Sequence, residues 1–156
     1  MDRMLLRSAE VLSPRRGCYA HSTDVLIENG VIAEVGRDLA AAGVRVVECE
    51  GRYLLPSLID AHIHMVQEEM GLQCVASGVT SVWHLSGGDG VARYAREIRA
   101  GKRIGPYIYG SGPIVDGVSA QHKPASHVYV DGPEEAAQAV RDTAQAGWLW
   151  AKAYPS

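Results

Sequence analysis

Apolar and polar positions change their rhythm near residue 54. Before it, short apolar runs are separated by turn residues. Residues 4–11 read as one strand, and residues 14–17, with Pro14 and Gly17, as a turn. Residues 24–28, DVLIE, read as a second strand, closed by Asn29-Gly30. That dipeptide is the strongest short-range signal for a two-residue β-hairpin. Residues 31–35 return at once, Gly36 ends them, and residues 44–49 supply a further strand. Several short strands with turns between them suggest part of a small β-sandwich, too small to be stable alone.

Beyond residue 54 strands alternate with helical spacing. The apolar run 54–59 leads into Asp60-Ala61-His62-Ile63-His64, a strand whose apolar start suggests burial on both faces. Helical stretches are expected over 66–77, 91–100 and 131–146, stopped by Gly78, Gly101 and Gly147. The last of them opens on Pro133, Glu134 and Glu135, which suit a first helical turn. Strands are expected over 79–85, 106–110 and 148–154, with a flexible loop over 86–90. The stretch 111–132 reads as a long loop, and loops of that length are often functional. Strand and helix in alternation argue for a parallel sheet with crossover helices. Four such strands fit either a small open sheet or half of an eight-stranded barrel. The expected fold class is therefore α/β, with residues 1–54 as an N-terminal β-sandwich segment and 55–156 as a separate α/β part.

Composition adds little and excludes much. The 156 residues are 47% hydrophobic and 21% charged, with a net charge of −3, ordinary for a protein that buries a core. No basic block points to nucleic acid, and no apolar run reaches the ~20 residues of a membrane span. The first residues lack the apolar stretch of a signal peptide, so a cytoplasmic location is the default expectation. Cys18, Cys49 and Cys74 are odd in number and lack a CxxC spacing, and are expected as reduced, partly buried thiols.

The candidate chemistry lies at strand ends. Side chains alternate along a strand, so Asp60, His62 and His64 share one face, where two imidazoles can converge on one ion beside a carboxylate. An HxH pair by itself is equally a pair of surface or core histidines. Lys152 stands in the otherwise apolar run Leu149-Trp150-Ala151-Lys152-Ala153-Tyr154. Burial lowers a lysine pKa and frees the amine for chemistry, whereas a lysine at a strand end can also snorkel to water.

Together these features resemble the amidohydrolase superfamily. The hairpin DVLIENGVIAEVG followed by LLPSLIDAHIH carries most of the likeness. Gly78-Val79-Thr80-Ser81-Val82, Ile104-Gly105-Pro106, Asp131 to Glu135 and Ala146 to Lys152 are similar to the branch holding imidazolonepropionases and prolidase-like dipeptidases. The resemblance implies a partial (β/α)8 TIM-like barrel of about four strands preceded by part of the sandwich. It implies His62 and His64 as metal ligands and Lys152 as the strand-four lysine, in many members carboxylated and bridging two ions. Asp60 would support the ligands, and His122, in the long loop, would contact the substrate. The cofactor implied is a divalent metal, zinc first, as one or two ions. A metal-activated water would attack a small-molecule amide or cyclic amide, and a carboxylate would move the proton to the leaving nitrogen. A homo-oligomer is one open assembly. His84, at the end of strand two, is read as a packed neutral imidazole, and His21 and His127 as solvent-facing.

The pattern departs from the family in places. Ser57 stands where glycine is usual, which would carry a penalty at a positive φ. Trp148 and Leu149 replace a small residue and an acid ahead of Lys152. The later ligand strands of the family have no counterpart here, so the chain is expected to be a fragment, inactive alone, with open sheet edges prone to aggregation. Competing readings are a prolidase-like metal dipeptidase, a non-catalytic binding or scaffold domain, and a small complete α/β domain.

Overall fold

A computed structural model describes residues 3–13, 15–65, 67 and 69–154. The expected turn at Pro14 and the helix start at Val66 fall outside them. The chain divides into two compact units, Met1–Pro56 and Ser57–Ser156.

The first unit contains β1 (Arg3–Ser13), β2 (Cys18–Glu28), β3 (Val31–Gly36), β4 (Arg45–Glu48) and β5 (Tyr53–Leu54). The strand expected over 24–28 starts six residues earlier, because β1 is long and pairs Ser13 with Cys18 around a tight turn. Asn29 and Gly30 have φ of 52° and 80°, the left-handed pair that a type I′ hairpin demands. All five strands join one sheet in the order β3-β2-β1-β4, with β5 also on β1, rather than two stacked layers. β2 is antiparallel to β1 and β3, whereas β4 and β5 run parallel to β1. Leu5, Ala9 and Val25 are buried at its centre. Asp24, also buried, accepts the backbone N–H groups of Ser8 at 2.9 Å and Leu39 at 3.0 Å. Its carboxylate thereby holds Ser8 in a left-handed conformation beside a β-bulge.

The second unit is mixed α/β. It runs β6 (Leu58–Ile63), α1 (Glu69–Ala76), β7 (Val79–His84), α2 (Asp89–Arg99), β8 (Tyr107–Gly110), β9 (Ile114–Gly117), β10 (His127–Val130) and α3 (Pro133–Gln145). Strands β6, β7 and β8 form a parallel sheet in chain order, as the strand–helix alternation requires. Met65, Val82, Tyr94, Ala95 and Ile108 form its core, flanked by Ile63, Cys74 and Ile98. Gly78 stops α1 at φ 82°, and Pro133 opens α3 while Glu135 accepts the N–H of Asp131 at 2.8 Å. Ser57 avoids the left-handed region, so serine costs nothing there.

Several expectations are corrected. The start of β6 is not buried on both faces: Leu58 and Ile59 are 56% and 60% exposed, because β6 is an edge strand paired only with β7. The stretch 111–132 is not a plain loop but carries β9 and β10, paired in parallel. No regular strand forms over 148–154. Trp150 bridges Ser111 and Ala153 bridges Val115, so the segment changes partners before a ladder can build. The three cysteines are free, as expected, although Cys18 is exposed rather than partly buried. No helix among the described residues is long and apolar enough to cross a membrane.

Candidate functional site

The end of β6 builds the site. Asp60 and His62 lie in the strand, whose pairing with β7 shifts register between Asp60 and Ile63, and His64 follows just beyond its last residue. The Nε2 atoms of His62 and His64 lie 3.2 Å apart, and both rings are exposed. Two nitrogen ligands bound at about 2.0–2.1 Å on one tetrahedral ion are separated by roughly 3.3 Å. The imidazoles therefore already stand at the spacing of a shared ion. Asp60 accepts the backbone N–H of His62 at 3.0 Å, so its carboxylate fixes the strand end that carries the ligand rather than the ring itself.

Lys152 approaches from the segment after α3. The N–H of Val115 donates to its carbonyl at 2.8 Å, and the N–H of Tyr154 returns to the Val115 carbonyl at 3.0 Å. The half-buried side chain places Nζ 5.1 Å from the centre of the Tyr154 ring. Its charge reaches His64. Partial desolvation first, then the Lys152 ammonium, then His62, hold the His64 pKa below the ordinary histidine value. A neutral imidazole is the form that binds a metal. Among the described residues no cluster of three or more His, Cys, Asp or Glu side chains is placed to hold an ion. The two imidazoles form a pair. His122 is exposed in the connection between β9 and β10 and makes no hydrogen bond or ring contact with His62, His64 or Lys152.

His84 sits behind the pair, its ring centre 6.2 Å from that of His64. It is 1% exposed. Its Nε2–H donates to the Met65 carbonyl at 3.3 Å, and Nδ1 accepts the N–H of Ser86 at 3.3 Å. That pattern admits only the neutral tautomer, and burial is the main cause that pushes its pKa down. The ring is packed, as read from the sequence, and its lowered pKa favours the neutral form. His21 is exposed, though bonded to Glu10.

His127 is not solvent-facing. Its Nδ1 lies 3.1 Å from Oδ2 of Asp116, with both side chains under a tenth exposed. The sequence signal was an aspartate in the apolar run Ile114-Val115-Asp116, but its partner is eleven residues away across an unrecognised strand pair. Trp148 has a similar explanation. Its indole lies over Gly87, Gly110 and Gly112, where any Cβ would come within 2.7–3.2 Å of the ring.

Comparison with known proteins finds relatives and structural neighbours of the amidohydrolase superfamily. A dihydroorotase from Trichlorobacter lovleyi is 34% identical over 91 residues, covering 51% of this chain and 21% of that protein. An adenine deaminase from Deinococcus radiodurans is 46% identical over 63 residues, 40% of this chain and 11% of that protein. A crystal structure from Bifidobacterium longum, described as prolidase-like, superimposes with a TM-score of 0.86 at 25% identity, over 99% of this chain and 41% of that one. No family model matches the chain. The matches thus span about a fifth or less of these curated relatives and under half of the solved structure.

Proposed function

We propose that the chain is part of a metal-dependent amidohydrolase that cleaves a carbon–nitrogen bond other than an ordinary peptide bond, in a small-molecule amide or cyclic amide. Residues 1–54 would be its N-terminal sandwich segment and 55–156 the first half of a TIM-like barrel, in a cytoplasmic enzyme. The observation that carries the reading is the 3.2 Å approach of the two Nε2 atoms at the end of a parallel strand, the place where such sheets put their chemistry. The relatives named dihydroorotase and adenine deaminase support the same class.

In this reading His62 and His64 hold one divalent ion, zinc by the chemistry of its donors, and Lys152 completes the set, as a carboxylated lysine where two ions bind. Once bound, such an ion activates water and polarises a carbonyl. The chain's own residues make that possible. Asp60 anchors the backbone of His62, while partial desolvation, then the Lys152 ammonium of the metal-free protein, hold the His64 pKa below the ordinary histidine value. His122, on its exposed connection, contacts the substrate. A prolidase-like dipeptidase is the second reading, favoured by the Bifidobacterium longum structure.

Zinc titration of the 156-residue protein, followed through the histidine ring protons, tests the proposal. Saturable binding is expected to perturb His62 and His64 first, and to weaken at least tenfold in His62→Ala and His64→Ala. Equal zinc binding by wild type and the double variant would overturn it.

A further inference from the structure

We propose that Asp116 and His127 are positioning residues for Lys152, acting through the Tyr154 ring; the proposal rests on the reading of Lys152 as a metal ligand. Strands β9 and β10 pair so that His127 lies opposite Ile114 and Tyr129 opposite Asp116. Across that pair the His127 ring is tied to the Asp116 carboxylate at 3.1 Å, with side chains only 8% and 5% exposed. Removing two polar groups from water is costly, and an apolar pair would join two strands as well or better. What the polar pair adds is direction, because the carboxylate sets the plane and position of the imidazole.

The fixed imidazole meets Tyr154 edge to face, with ring centres 5.4 Å apart and planes at 73°. This is a favourable geometry for aromatic rings. The Tyr154 ring in turn lies 5.1 Å from the Lys152 ammonium, within reach of a cation–π attraction. The backbone of Lys152 is held from the same strand, since Val115 bonds on both sides of the next residue, Ala153, to the Lys152 carbonyl and from the Tyr154 N–H. Val115 immediately precedes Asp116. One short strand thus fixes the lysine twice, at its backbone directly and at its head through Asp116, His127 and Tyr154. A lysine has a flexible four-carbon stem and much rotamer entropy to lose. Tyr154 is 44% exposed, and the His127 ring packs on its covered side.

The test uses the metal-free protein with 13C-labelled lysine. The chain has three lysines, Lys102, Lys123 and Lys152, each assigned by its substitution with arginine. Lys123 also lies over a ring, that of Tyr129, which leaves Lys102 as the unshifted reference. The ε-methylene of Lys152 is expected upfield of that of Lys102 by the Tyr154 ring current. Tyr154→Leu should abolish the shift and His127→Ala should remove at least half of it. His127→Phe, which keeps an aromatic edge, should restore part of it. An unchanged Lys152 signal in folded His127→Ala would overturn the proposal. So would an unchanged signal in Tyr154→Leu, a half-exposed position where folding is not at risk. If the shifts behave as expected but zinc leaves Lys152 undisturbed, the ligand reading fails and the positioning stands.

Discussion

His84 is closed to solvent and bonded on both ring nitrogens, so protonating it would break its acceptor bond from Ser86 and bury a charge. Its folded pKa lies below the 6.5 of an unfolded histidine, and that of His64 is lowered as well. The sign follows from linkage. As pH falls below 6.5 the unfolded chain takes up protons that the native state refuses, so stability declines in that window. Denaturant midpoints should therefore drop between pH 7.5 and pH 5.5, and His84→Gln should flatten the decline. An equally steep decline in the variant would sink the account. Asp24 offers a second case at the same scale. Asp24→Ala strands two half-buried N–H donors, at Ser8 and Leu39, and should cost about 1–3 kcal/mol in chemical denaturation. The approach of His62 to His64 was legible because a spacing of two residues is local. The Asp116–His127 pair was not, because it depends on two strands hidden in a stretch rich in turn residues.

At the scale of elements, the second unit follows its hydrophobic rhythm from β6 to β8 and again in α3, but not over 111–132, where β9 and β10 form. Helices α2 and α3 lie within two residues of the expected ends, since glycine stops and acidic first turns are written locally. The final strand failed for a reason that no periodicity contains. Leu149 bonds to Gly110 at the end of β8, whereas Val115 of β9 bonds to Lys152, so the segment passes between two sheets. Trp148 secures that passage by packing over Gly87, Gly110 and Gly112. What looked in sequence like an awkward replacement beside Lys152 is matched by three missing side chains far away. Trp148→Ala should cost about 3 kcal/mol, at the lower end for a large core aromatic because the ring is only half-buried. Gly87→Ala should be at least as damaging, since its Cβ would lie 2.1 Å from the Ser111 carbonyl oxygen. Thermal melts of both variants check the pair, and a wild-type melt for Gly87→Ala would refute the close approach.

At the scale of the whole molecule, the first unit leaves much of its apolar surface open. A trough of about 700 Å³ on it is lined by Leu6, Val11, Ile27, Ile32, Val35 and Leu54. Val31, Ile32, Val35, Tyr53 and Leu55 remain exposed. Patches of this kind are uncommon on isolated soluble domains and promote association. Strand β3 borders the trough as the outer strand of its sheet, with unpaired backbone groups along one side. Both features act in the same direction, so the 156-residue protein should self-associate and bind a hydrophobic dye. Ile32→Lys and Val35→Lys sit on that outer strand, where a charge blocks edge pairing without removing a buried contact. Each should lower dye binding and sedimentation-detected oligomers while shifting the unfolding free energy by no more than about 0.5 kcal/mol. A wild-type chain that is monomeric and silent to the dye would show that this face is not open in solution. A large loss of stability in the variants would instead show that Ile32 and Val35 are core residues of the unit.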